Sequence, residues 1–148
     1  MKQLKNEMKF EFISKSANEG FARATISAFI AQLDPTISEL ADIKTAISEA
    51  VTNCIVHAYG DKLGSIYISV KIFDNGQVII KVRDKGCGIE NIDKAMEPLY
   101  TTGGAERAGL GFAVMQSFMD SIKVTSKKGK GTTVILTKNI IPRVSNNG

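Results

Sequence analysis

The chain has 148 residues, 43% hydrophobic and 23% charged, with 19 Lys and Arg against 15 Asp and Glu for a formal charge of +4. This length and balance suit one globular domain with a core of its own, spanning residues 1–148, and exclude a disordered chain. No apolar run approaches the roughly 18 residues of a membrane span, and the N-terminus MKQLKNEMKF lacks the apolar stretch of a secretory signal.

The cations are scattered apart from Lys127, Lys128 and Lys130, with few aromatics among them, so direct nucleic-acid binding is not expected. Cys54 and Cys87 have no metal-like spacing and read as reduced thiols of a cytoplasmic protein.

In chain order, Lys9 to Lys15 alternates as a first strand. Ser16-Ala17-Asn18-Glu19 has capping-box form and opens a helix reaching about Leu33, where Asp34-Pro35 ends it. Thr36-Ile37-Ser38-Glu39 is a second capping box, and its helix runs to about His57. Within it Glu49, Asn53 and His57 recur at steps of four, which places them on one polar stripe. Ile43, Ile47, Val51, Cys54 and Ile55 supply the apolar surface beside that stripe, and His57 reads as a capping or packing residue.

Ser65 to Phe73 puts Ile66, Ile68, Val70 and Ile72 on one strand face. Asn75-Gly76 is a hairpin turn, and Val78, Ile80 and Val82 continue the sheet. From Asp84 to Gly109 the chain is glycine-rich and aperiodic, the mark of a functional loop. A short helix is expected from Gly111 to Asp120, then a hairpin of Ser121 to Ser126 and Thr132 to Lys138, with a frayed tail from Asn139. The fold class is α+β, a two-layer sandwich with two or three helices on one face of a mixed, mainly antiparallel sheet.

Four features stand in order: Glu49-x-x-x-Asn53 on a helix, Asp84-x-Gly86-x-Gly88 after a strand, Thr101-Thr102-Gly103-Gly104 in a loop, and Gly109-Leu110-Gly111 before a helix. Each alone is a common structural device. Together they closely resemble the ATP-binding domain shared by gyrase, the Hsp90 chaperone, histidine kinases and the mismatch-repair protein MutL, whose fold is the Bergerat type. The stretches FARATISAFIAQLDPTISELADIKTAISEAVTNCIVHAYG, VRDKGCGI, PLYTT, ERAGLGF and MQSFMDSIKV more narrowly resemble the sporulation members of the bacterial anti-sigma serine kinases. The G-x-x-x-x-G-K-[ST] phosphate loop and the protein-kinase glycine loop are both missing.

The chemistry fits the residue types. A strand-end carboxylate such as Asp84 can accept from the adenine amine, while Gly86 and Gly88 let backbone approach base and sugar. Gly109 and Gly111 at a helix start would offer N–H groups to phosphate. Asn53 can give a neutral oxygen to Mg²⁺, and Glu49 one turn earlier can take a proton from an attacking hydroxyl.

The resemblance implies that Glu49 is the catalytic base, Asn53 the Mg²⁺ ligand and Asp84 the adenine contact. It further implies ATP or ADP contacts at Gly86, Gly88, Thr101, Thr102, Gly109, Gly111 and Thr132, and protein-partner contacts at Arg23 and Arg107. Relatives commonly have a proline and more acidic residues where the segment YTTGGAERAGLGF carries glycines.

The implied function is an anti-sigma factor that inhibits a sporulation sigma factor and phosphorylates its anti-anti-sigma antagonist on serine, acting as a homodimer. The alternatives are an ATP-gated sigma-binding module with negligible transfer, a related stress-response kinase, or a basic nucleic-acid binder.

Overall fold

The computed structural model describes residues 2–95 and 104–141. Five strands form one sheet: β1 (Leu4–Ile13), β2 (Ser65–Phe73), β3 (Gln77–Asp84), β4 (Ser121–Lys127) and β5 (Gly131–Asn139), in the order β1-β2-β3-β5-β4. Each neighbouring pair is antiparallel, so the expected mixed sheet is antiparallel throughout. Helices α1 (Asn18–Ile30), α2 (Ile37–Thr52) and α4 (Gly104–Phe118) cover one face, and a single turn, α3 (Ile92–Ala95), precedes α4.

The alternation of β2 and β3 has a direct physical outcome. Ile66, Ile68, Val70 and Ile72 of β2 and Val78, Ile80 and Val82 of β3 are buried under the helices. α2 lies between α1 and α4 and contributes Ile43, Ala46, Ile47, Ala50 and Val51. Ile26 and Ile30 of α1 and Phe112 and Met115 of α4 complete the packing. Emptying one such position, as in Ile47→Ala, costs about 2–5 kcal/mol.

β1 starts five residues earlier than its alternation suggests and ends at Ile13, because β2 offers a partner along its whole length, from Phe73 opposite Leu4 to Ser65 opposite Ile13. The Asn75-Gly76 turn forms as expected: Gly76 has φ +88° and its N–H donates to Phe73 O at 3.0 Å.

Only one of the two capping boxes exists. Thr36 Oγ1 accepts from Glu39 N at 3.0 Å and Glu39 Oε1 accepts from Thr36 N at 2.8 Å. At Ser16 a backbone turn takes the N–H groups instead. Asn18 N donates to Lys15 O and Glu19 N to Ser16 O, while the Glu19 carboxylate turns to Arg23.

The start of the expected frayed tail is also tied down. Asn139 N donates to Asp120 Oδ2, the buried Ile140 N to Gly76 O, and Ile141 N to Glu39 Oε2. Residues 142–148 of that tail lie outside the described residues.

Two elements differ where it matters for a site. Residues Asn53–Tyr59 continue α2 as a π-helix. Its turns are wider, so a step of four falls a little short of a full turn where an α-helix overshoots it, and Asn53 and His57 stay on one side of the helix. α4 begins at Gly104, placing Gly109 and Gly111 inside a helix and not at its start. Ala105, Glu106, Arg107 and Ala108 are strong helix formers and carry the helix back through the glycines, each of which costs about 1 kcal/mol relative to alanine.

Candidate functional site

The inward alternation of β3 runs Val78, Ile80, Val82 and then Asp84, so a carboxylate occupies what would be the next core position. The register places polar residues beside it on the adjoining strands. Asp84 pairs with Thr132 of β5, and Thr132 pairs with Ser126 of β4. Asp84 is 5% exposed and Thr132 8%.

Asp84 Oδ1 accepts from Gly86 N at 2.9 Å and from Thr132 N at 3.2 Å, and Cys54 from the helix layer lines the same recess. Burial pushes the Asp84 carboxyl above its ordinary range, and the two backbone donors oppose that push. Ser126 Oγ lies 2.7 Å from Thr132 Oγ1, accepts from Ile89 N at 2.7 Å and donates to Gly131 O at 3.0 Å.

The loop after Asp84 is wedged between the π-helix and the β4–β5 hairpin. Cys87 N donates to Ala58 O at 3.0 Å, and Gly129 N donates to Cys87 O at 2.6 Å. A Cβ on Gly86 would sit 2.4 Å from Ala58 O, and one on Gly88, whose φ is +76°, 2.2 Å from Lys127 O. The first demand for these glycines is therefore the close approach of the chain to itself. Tyr59 locks the same region, accepting from Lys85 N at 2.7 Å and donating to Ser65 O at 2.6 Å.

A recess opens between these elements. Asn53, Cys54 and His57 line it from the π-helix, Asp84 and Thr132 from the sheet, and Ile89, Phe112 and Val134 give it apolar walls. A concave, mostly apolar recess with a few convergent polar groups is the usual form of a small-molecule site.

At one end of it Glu49, Asn53 and Gly111 meet. A Cβ on Gly111 would lie 3.2 Å from both Asn53 Oδ1 and Glu49 Oε2, so the missing side chain leaves room for the carboxamide and the carboxylate. Asn53 Nδ2 is shut off from solvent and, among the described buried side chains, is the polar atom without a hydrogen-bond partner. Nδ2 is a donor, so the orphan itself seeks an acceptor such as a phosphate oxygen, while Oδ1, beside the Glu49 carboxylate, is the atom that could face a hard cation.

The structure thus brings Glu49, Asn53, Asp84, Gly86, Gly88, Gly111 and Thr132 to one locality. Gly109 lies on α4, two residues before Gly111. Thr101 and Thr102 lie outside the described residues, as does the side chain of Arg107, whose backbone is part of α4. Arg23 is elsewhere, on α1. Its Nη1 donates to Glu19 Oε1 at 3.2 Å and to Ser48 Oγ at 3.1 Å, beside Glu49 in sequence.

Cys54, Ser126 and Tyr59 were not marked by the motifs. Cys54 was legible only as the buried neighbour of Asn53, and the other two depend on pairings made far along the chain.

The family described as "Histidine kinase-like ATPase domain" matches residues 14–138. The chain is 60% identical over 136 residues to a protein of Caldanaerobacter subterraneus named "Anti-sigma F factor", covering 91% of this chain and 94% of that one. A Clostridium kluyveri protein of the same name is 56% identical over 134 residues, covering 90% and 94%. Among solved structures, the RsbU and RsbW domains of a Mycobacterium tuberculosis protein superpose with a TM-score of 0.69 at 20% identity, over 95% of this chain and 35% of that one. A blue-light activated histidine kinase from Erythrobacter litoralis superposes at 0.58 with 21% identity, over 82% of this chain and 41% of that one. These two likenesses concern the fold.

Proposed function

Because the chain belongs to the histidine kinase-like ATPase family, we propose that it is an anti-sigma factor which sequesters a sporulation sigma factor and phosphorylates a serine of the antagonist protein. Membership carries nucleotide binding with it. The specific role is supported by relatives named "Anti-sigma F factor" that match nine-tenths of the chain at close to 60% identity. The observation that carries the chemistry is the meeting of Glu49, Asn53 and Gly111 at the end of a recess whose far wall is Asp84 and Thr132.

In this reading Asp84 accepts from the adenine amine, and Thr132 with its Ser126 partner supports the same edge of the base. Gly86 and Gly88 hold the loop over the base. Asn53 would hold Mg²⁺, which when bound neutralises phosphate charge. The antagonist's serine hydroxyl attacks the γ-phosphorus, its proton passes to Glu49, and ADP leaves. Thr101, Thr102, Gly109 and Gly111 belong to the segment that would cover the phosphates.

The protein partners would meet Arg23 and Arg107. A homodimer is supported by an aromatic cluster at the sheet edge, where Phe10, Phe12 and Phe21 pack with ring centroids 5.9 to 6.4 Å apart while Phe21 stays 54% exposed. No described helix is long and apolar enough to cross a membrane. A single domain acting in the cytoplasm, where transcription takes place, completes the proposal.

The test is incubation of the chain with labelled Mg-ATP and candidate antagonist proteins, followed by mapping of the label. Phosphoserine on one antagonist is the expected result. Tight nucleotide and sigma-factor binding without transfer to any antagonist would leave a nucleotide-gated binding module and overturn the kinase reading.

A further inference from the structure

The long helices pack on one face of the sheet, and the charged side chains of the other face reach solvent. The strand register strings five residues of that open face into one row. Lys9 of β1 stands opposite Ser69 of β2, Ser69 opposite Lys81 of β3, Lys81 opposite Ile135 of β5, and Ile135 opposite Lys123 of β4. Positions 9, 81 and 123 are scattered in the sequence, yet in the sheet they form a line with a lysine on every second strand. All three are exposed, and among the described residues none of them is in an ion pair. Arg83, in the next row, adds a further exposed cation.

The neighbouring rows limit what can lie there. On one side Glu7 pairs with Lys71 at 3.9 Å, and on the other Glu11 stands opposite Tyr67, so carboxylates flank the β1 end of the row. A polyanion as wide as a nucleic-acid duplex would press on both. The rings of this face are also occupied, which leaves bases no free platform for stacking. Arg83 and Lys85 each lie 5.1 Å from the ring centroid of Tyr67, and Lys2 lies 4.3 Å from that of Phe73.

We propose that the row Lys9–Lys81–Lys123 is a docking track for an acidic α-helix of a protein partner, laid across the strands with carboxylates seven residues apart. The spacing favours a helix. Successive lysines are two strand spacings apart, about 9.5 Å. Seven residues of α-helix rise about 10.5 Å and return to the same face. Flexible lysine stems absorb the difference of about 1 Å. Helix positions three or four residues on from each carboxylate fall over Ser69 and Ile135, which accept a small and an apolar side chain. An extended segment lacks this match, because its same-face residues recur every ~6.8 Å. The track lies on the side of the sheet away from the nucleotide recess, so a helix there leaves the recess open.

The experiment uses the full chain and a fluorescent helical peptide of alanine, leucine and glutamine with glutamates at i, i+7 and i+14. A second peptide of identical composition carries its glutamates on different helix faces. Fluorescence anisotropy at low salt is expected to show the first peptide binding about fivefold or more tighter than the second. Lys9→Gln, Lys81→Gln and Lys123→Gln should each weaken it about two- to fivefold. Lys44→Gln, which removes an exposed lysine from α2 in the helix layer, should leave it unchanged. Lys81→Glu should reverse the preference at the centre of the row, favouring a peptide whose middle glutamate is replaced by lysine. If the two peptides bind alike, or if Lys44→Gln acts as the row variants do, the attraction is net charge alone and the proposal falls. Tighter binding of a DNA duplex or single strand, lost in the three row variants, would make this a nucleic-acid surface and overturn the proposal as well.

Discussion

Asp84→Asn separates folding from recognition at one position. The amide retains a carbonyl oxygen, so the bonds from Gly86 N at 2.9 Å and Thr132 N at 3.2 Å can survive the change. What disappears is a charge at a place where burial holds the carboxyl above its ordinary range. A carboxyl raised in the folded state contributes stability that is complete below its unfolded pKa and is lost as pH rises through the folded value. At neutral pH that contribution is gone and the buried charge is a net burden. The free Asp84→Asn protein is therefore expected to melt at or above the parent temperature near neutrality. The difference should close as pH falls through the raised value at which the folded parent's carboxyl takes up its proton.

With nucleotide present the order reverses. An ionised acceptor for the adenine amine contributes about 1.5–3 kcal/mol, so the variant should bind ATP roughly 10- to 150-fold more weakly. Melting with and without Mg-ATP across that pH range, with calorimetry near neutrality, checks both halves. A free variant that melts well below its parent at neutral pH, yet binds ATP as tightly, would refute the assignment of Asp84 as a strained recognition group.

Glu49→Gln keeps the size and hydrogen-bonding capacity of the side chain but cannot take a proton. Phosphotransfer should fall about 10²- to 10⁴-fold with ATP affinity little changed, and transfer at the parent rate would remove Glu49 from the chemistry. Gly111→Ala adds a Cβ 3.2 Å from both Asn53 Oδ1 and Glu49 Oε2, while the helix gains about 1 kcal/mol in propensity. Thermal stability should therefore hold or rise while transfer drops roughly tenfold or more, and undiminished turnover would show that the crowding is relieved harmlessly. Tyr59→Phe strands Lys85 N and Ser65 O and should cost about 1–3 kcal/mol in denaturant unfolding, an effect that would be missing if solvent replaced the hydroxyl. Arg23→Glu should slow sigma-factor association and change its salt dependence while leaving ATP affinity intact, and unaltered binding at low salt would take Arg23 out of the interface.

Much of this arrangement was legible because it is local. The period of two in β2 and β3 needs no knowledge of the rest of the chain, and the same parity that buries Val78, Ile80 and Val82 turns Asp84 inward. Thr36 and Glu39 satisfy each other across three residues, so their box could be read directly, whereas the Ser16 pattern failed because Glu19 had a better partner one turn on, in Arg23. The π-helix was not legible, since a run such as Asn53 to Tyr59 suits either kind of helix, and the choice follows from where Ala58 and Tyr59 must meet the loop after β3. The glycines were recognised but assigned an incomplete cause. A Gly-x-Gly after a strand suggests backbone approaching a ligand, and the approach seen within the chain is to Ala58 and Lys127, residues 28 and 39 positions away from Gly86 and Gly88. Those contacts hold the loop that closes the recess next to Asp84. The same missing side chains therefore build the wall before anything occupies the space, and substituting either glycine would disturb the position of Asp84 even with no nucleotide bound.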